Sequence, residues 1–165
     1  MPDKIKVGMA DWKIARNQDS LVTFGLGSCV ALTLWDAKEK IAAMAHIMLP
    51  DSKLVRYRQE VSAAKFADTA LITMLAELNK LGAPKERFQA KVVGGANMFT
   101  FAGKAIGGNM NIGQRNIIAV KEELVRYAIP IISEDTGGTS GRSIEFYADS
   151  GVLRIRTAMF GERDI

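Results

Sequence analysis

From Cys29 to Leu49 the chain alternates apolar residues with small or polar ones on either side of a polar Asp36–Glu39 turn, the pattern of one β-hairpin. A hairpin constrains what surrounds it, because its register decides which side chains meet and which face is buried. With Asp36–Glu39 as the turn, Trp35 pairs with Lys40. Leu34 then faces Ile41, Leu32 faces Ala43 and Val30 faces Ala45, an apolar inner face. The other face pairs Thr33 with Ala42, Ala31 with Met44, and Cys29 with His46. These last two are the single cysteine and the single histidine of the chain. Directly opposed Cβ atoms lie roughly 4.5–5.5 Å apart, so this register sets a thiol beside an imidazole.

That juxtaposition has chemical meaning. A free cysteine is only about 3% thiolate at pH 7. A protonated His46 beside Cys29 stabilises the thiolate, and the same ring can protonate a departing amine. Gly25 and Gly27 let the backbone turn sharply just before Cys29. The amides near Gly27, Ser28 and Cys29 are then candidates to cradle an oxyanion, worth about 3 kcal/mol per donor. Taken singly, a lone cysteine is most often a small buried hydrophobe and a lone histidine a satisfied structural residue. The glycine-rich approach, the facing register and the single copy of each type together point to a nucleophile and its base.

The rest of the chain reads as an α+β domain of layered sheets with flanking helices. Strands are expected at Lys4–Met9, Leu21–Phe24, Phe88–Val93, Ile129–Ser133, Ser143–Ala148 and Val152–Thr157, and helices at Ala64–Leu81 and Gln114–Ala128. The second helix is expected to turn Ile117, Ile118, Val120, Leu124 and Val125 inward. Residues 51–62 and 94–113 read as surface loops, and the last residues as a loose tail. Many strands join as hairpins, so the sheets should be mostly antiparallel or mixed, not doubly wound. With 165 residues, 48% of them hydrophobic, one domain over 1–165 with its own core is expected.

Composition excludes several function classes. One cysteine forms no internal disulfide, and one Cys plus one His fall short of a zinc site, so neither a metal nor a cofactor is expected. No charged-then-apolar leader and no membrane-length apolar run are present. The expectation is a soluble, cytoplasmic protein with no membrane insertion. The net charge of +4 is spread along the chain, with its densest cluster at Lys53, Arg56 and Arg58, too small for nucleic-acid binding. Gly25-Leu26-Gly27 is not a dinucleotide fingerprint, because the third glycine position is Val30 and a strand follows. Gly103-Lys104 and Gly107-Gly108 lack phosphate-loop spacing. Asp135-Thr136-Gly137 occurs once, so Asp135 is read as a turn residue before Gly137-Gly138. Asn97, Met98 and Phe99 follow two glycines and read as either a surface knob for a partner or core packing.

Longer motifs carry a resemblance. T-F-G-L-G-S-C at Thr23–Cys29 and A-M-A-H-I-M-L-P-D-S at Ala43–Ser52 resemble the CheD family of chemoreceptor glutamine deamidases. So do K-F-A-D-T-A at Lys65–Ala70, V-G-G-A-N-M-F at Val93–Phe99, N-I-G-Q-R-N at Asn111–Asn116, E-D-T-G-G at Glu134–Gly138 and R-S-I-E-F at Arg142–Phe146. The likeness runs from about Val7 to Arg156, with 99–110 longer than the family's usual spacing. It implies an enzyme that hydrolyses glutamine side-chain amides on the cytoplasmic helices of chemoreceptors, with glutamyl methylesterase activity in some members. It places the nucleophile on Cys29, the base on His46, and an orienting threonine on Thr23. It implies a fold resembling the catalytic domain of cytotoxic necrotizing factors, and binding to CheC-type phosphatases, for which Asn97, Met98 and Phe99 are candidate contacts. The alternative is a non-catalytic module that docks on receptors and CheC.

Overall fold

The computed structural model describes residues 1–54, 62–98, 100–101, 104–105 and 111–165. In chain order the strands are β1 (Lys4–Lys6), β2 (Trp12–Arg16), β3 (Ser20–Leu26), β4 (Val30–Asp36), β5 (Ile41–Ile47), β6 (Gln89–Gly94), β7 (Thr100–Phe101), β8 (Lys104–Ala105), β9 (Ile131–Thr136), β10 (Arg142–Tyr147), β11 (Leu153–Thr157) and β12 (Gly161–Asp164). The helices are α1 (Ala67–Lys80) and α2 (Ile112–Arg126). One five-stranded sheet runs β1-β3-β10-β11-β12 and a second runs β2-β5-β4-β6-β9. Each is mixed: β1 pairs parallel with β3, β6 parallel with β9, and the remaining pairs are antiparallel. The α+β expectation holds in this form.

The β4–β5 hairpin is buried on both faces, which explains its near-continuous apolar sequence. One face carries Val30, Leu32, Leu34, Ala43, Ala45 and Ile47 into a core with Leu71, Met74 and Leu78 of α1 and Val120 and Leu124 of α2. The other carries Ala31, Ala42 and Met44 against Leu21 and Leu26 of β3 and Ile144 and Phe146 of β10. The order is therefore sheet, sheet, helices. Alanines at 31, 42, 43 and 45 keep the hairpin thin, so both outer layers pack closely on it.

The hairpin register differs from expectation by two residues. Asp36 pairs with Ile41, Leu34 with Ala43, and Ala31, not Cys29, lies opposite His46. The faces survive because a two-residue shift preserves them. The cause is the turn. Asp36 Oδ1 accepts the N–H groups of Lys38 and Glu39, and Lys40 adopts a φ of 53°. Lys40 thus closes the loop instead of opening β5, and Asp36 ends β4. Arg87 holds the Asp36 carboxylate with its Nε and Nη2, the latter at 2.7 Å.

Other corrections follow from packing. The first helix begins at Ala67 and not at Ala64, because Phe66 is extended after a short 3₁₀ turn over Ala63–Lys65. In α2 the buried positions are Gly113, Asn116, Val120, Glu123 and Leu124, while Ile118 and Val125 are exposed. Helical phase puts 118 and 125 outside that stripe. Strand β2, whose charged residues obscure its alternation, was not anticipated. The expected loose tail is strand β12, held to β11 by Arg154 with Asp164 and Arg156 with Glu162. Gly94, Gly95, Ala96 and Asn97 are buried and not surface loop. Beyond them β7 and β8 form a short hairpin. Most of the expected 51–62 loop, and Phe99, lie outside the described residues.

Candidate active site

His46 sits near the end of β5 on the face turned toward the first sheet, and it is 1% exposed. Its backbone is fixed on both sides: its N–H donates to Asp11 O, and its carbonyl accepts from Ala10 N–H. From the facing sheet, β3 brings Thr23 across the gap. Thr23 Oγ1 lies 2.8 Å from His46 Nδ1 and 2.7 Å from the carbonyl oxygen of Val7. A hydroxyl has one proton, and only the hydroxyl can donate to the Val7 carbonyl. The Thr23 oxygen must then accept from Nδ1–H of His46. That fixes the neutral tautomer and leaves the lone pair on Nε2, which is buried and has no hydrogen-bond partner among the described residues. Burial pushes the imidazole pKa down, so the ring is a neutral base at pH 7.

Cys29 lies one residue outside β4, in the turn that follows Leu26. It is partly buried against the same inter-sheet cluster that receives Ala31 and Met44, and so lies on the His46 side of the hairpin. The relation to His46 is diagonal, two positions along β4 from Ala31, the residue directly opposite, and no hydrogen bond joins Cys29 Sγ to His46 Nε2 among the described residues. Three successive carbonyls of the turn are tied inward. Gly27 O accepts from Ala96 N–H at 2.9 Å, Ser28 O from Asn116 Nδ2 at 2.9 Å, and Cys29 O from Gly95 N–H at 2.8 Å. What this turn has left to offer a substrate is its N–H groups. Gly94 has a φ of 115°, and a Cβ there would fall 2.4 Å from Cys29 O, so only glycine lets β6 pass this close. Burial raises the Cys29 thiol above its ordinary pKa, opposed in part by its own backbone N–H.

Beside the turn, Met98 is about half exposed, whereas Phe24, also exposed, lies on the outer face of the first sheet with Val22 and Glu145 and under Lys6 Nζ. Met98 lies over Gly27, where a Cβ would approach its Cγ to 3.0 Å. Asn97 is buried instead, with its N–H donated to Gly138 O.

Residues 48–157 match the family model described as CheD chemotactic sensory transduction. The chain belongs to the CheD family. It is 48% identical over 165 residues to the chemoreceptor glutamine deamidase CheD of Halalkalibacterium halodurans, covering 100% of both chains. It is 50% identical over 161 residues to the protein of that name from Bacillus subtilis, covering 98% of this chain and 95% of the relative. The corresponding protein of Bacillus velezensis is 49% identical over 161 residues, with the same shares covered. The family match begins after His46, whereas these relatives align across Thr23, Cys29 and His46 as well.

Of the residues singled out in this CheD sequence, Thr23 and His46 are in direct contact, and Cys29 with Gly27 and Ser28 forms the adjoining turn. Asp135 is not a turn residue. It stands on β9 between two arginines, with Arg142 at 3.1 Å and Arg163 at 3.0 Å. Two residues went unnoticed. The Val7 carbonyl is invisible to side-chain reasoning. Asn116 did carry a signal: it is polar, yet it shares the buried phase of α2 with Val120 and Leu124.

Proposed function

We propose that this CheD protein hydrolyses glutamine side-chain amides on the cytoplasmic helices of chemoreceptors, with Cys29 as nucleophile and His46 as base. The observation that carries the reading is the Val7–Thr23–His46 chain, because it holds the imidazole as a neutral base with its Nε2 lone pair uncommitted. Burial disfavours charge on both the thiol and the ring, so the resting pair is thiol and imidazole and not a preformed ion pair. Proton transfer accompanies attack.

His46 Nε2 takes the Sγ proton as sulfur bonds to the carboxamide carbon. The amides of the Ser28–Cys29 turn receive the developing oxyanion. The imidazolium then returns its proton to the amide nitrogen, the C–N bond breaks, and ammonia leaves a glutamyl thioester on Cys29. Water attacks that thioester while Nε2 accepts its proton. The C–S bond breaks, the thiol is re-formed, and glutamate is released. The net change is amide plus water to acid plus ammonia. A methyl ester presents the same carbonyl with a methanol leaving group, so glutamyl esters are a second substrate class. Each conversion of an amide adds a negative charge to a receptor helix and alters its packing in the bundle.

Docking is assigned to Met98, half exposed over Gly27 of the turn, with Phe99 its neighbour in sequence. Receptor helices and CheC-type phosphatases are the partners proposed there, and the cytoplasm is the compartment in which they meet. Among the described residues no helix is long and apolar enough to cross a membrane. A module that only docks would need Met98 but not the oriented imidazole. Ammonia release from a chemoreceptor cytoplasmic fragment separates the two readings. Wild-type protein should release it and Cys29→Ala should not, while both bind the fragment equally. Binding without release by the wild type would leave the docking module.

A further inference from the structure

Cys29 lies beyond the last ladder pair of the hairpin, Val30 with Ile47. Sheet hydrogen bonds therefore do not by themselves fix the thiol relative to the imidazole. One side chain bridges the two. Asn116 of α2 is fully buried, and its Nδ2 donates to Ser28 O at 2.9 Å and to Met48 O at 3.0 Å. Ser28 precedes the nucleophile by one residue. Met48 follows the base by two and leads out of β5. The amide has two protons on nitrogen, and each has one carbonyl acceptor. The flipped amide would set its oxygen against two carbonyl oxygens, so the donor orientation is fixed by chemistry. The cost is visible on the other atom, because Asn116 Oδ1 is buried without a partner among the described residues. Purely structural packing would favour an apolar residue at this helical position.

The helix is set for this reach. Asn111 caps α2 by accepting Gln114 N–H at 2.9 Å. Gly113 brings the first turn against the 95–96 segment, where a Cβ would fall 2.5 Å from Ala96 O. That same segment donates to Gly27 O and Cys29 O. We propose that Asn116 is a positioning residue for the reaction: it clamps the Cys29 turn to the strand end behind His46 and fixes the distance from sulfur to Nε2. This rests on the deamidase reading above. The clamp touches neither substrate nor reacting atoms, so its loss should lower kcat and leave KM unaltered.

The test compares wild-type protein with Asn116→Ala and the isosteric Asn116→Asp. The second keeps the shape and removes the donors. On a receptor cytoplasmic fragment, kcat should fall about 10- to 100-fold, the scale of a small misplacement of reacting groups, with KM within about twofold. The pH midpoint of Cys29 alkylation by iodoacetamide should move toward the ordinary thiol value of about 8.5 as the turn loosens. A folded Asn116→Asp protein that keeps its kcat within about threefold and its alkylation midpoint would overturn the clamp. Should neither variant fold, NMR of the wild-type side-chain amide decides. Two downfield, slowly exchanging Asn116 protons support the clamp, and free-amide shifts and exchange reject it. Wild-type protein that leaves receptor glutamines unchanged sinks the deamidase reading instead, and the alkylation midpoint still reports on the clamp.

Discussion

At the scale of single residues, the site turns on where one proton sits. Thr23 donates to Val7 O and so must accept from His46, which leaves Nε2 bare. Thr23→Val keeps the shape but strands the Nδ1–H and the Val7 carbonyl. It should cost about 1–3 kcal/mol of stability in urea unfolding. It should also lower kcat, and Thr23→Ser should restore most of the rate. Wild-type kinetics in Thr23→Val would remove the orienting role. The two burial-shifted groups also predict a stability profile with pH. His46 has a depressed folded pKa, so the unfolded state binds more protons as pH falls below about 6.5, and stability drops there. Cys29 has a raised folded pKa, so the unfolded state loses its proton first above about 8.5, and stability drops again. Urea midpoints should therefore plateau between these limits. Cys29→Ala should flatten the alkaline limb, and an unchanged limb would show that the thiol is not the group responsible.

At the scale of elements, the hairpin shows what a sequence reveals and what it withholds. The two faces of β4 and β5 were legible, because alternation of Val30, Leu32 and Leu34 reports directly on burial. The register was not, because it depends on the left-handed Lys40 and the Asp36 side chain, which alternation does not encode. The thiol and imidazole were rightly assigned to one face but wrongly made direct partners. The short β12 was missed because cross-strand charge pairs, not apolar residues, dominate its sequence, and β2 because Lys13 and Arg16 break its alternation. Asp36 carries the turn and the Arg87 pair together, and its side chain is fully buried. Asp36→Ala should destabilise the protein by about 1–3 kcal/mol in chemical denaturation, since it leaves the Lys38 and Glu39 N–H groups without their acceptor and frees the loop. A loss under about 1 kcal/mol, the range of an exposed pair, would contradict that. On β6, Gly94→Ala meets both a positive φ and the Cys29 carbonyl. It should displace the Cys29 turn and slow Cys29 alkylation or deamidation by about tenfold or more, the cost of moving reacting groups. Full activity in that variant would mean that the close approach is dispensable.

Across the whole molecule, three layers converge on one edge of the central hairpin. The first sheet supplies Thr23, the central sheet supplies His46 and Gly94 of β6, and the helix layer supplies Asn116. Thr23 and His46 had readable signals, in recognisable motifs, and Asn116 had a weaker one, a polar residue in the buried phase of α2. What Asn116 bridges, and the approach of Gly94 to Cys29 O, depend on tertiary contacts between segments about 65–90 residues apart, which no local pattern carries. The account stands or falls on whether the sulfur does the chemistry. Peptide mapping of a chemoreceptor cytoplasmic fragment, incubated in parallel with wild-type and Cys29→Ala protein, asks that directly. Conversion of defined glutamines to glutamates by the wild type alone is the predicted result. Equal conversion by the Cys29→Ala protein would contradict it.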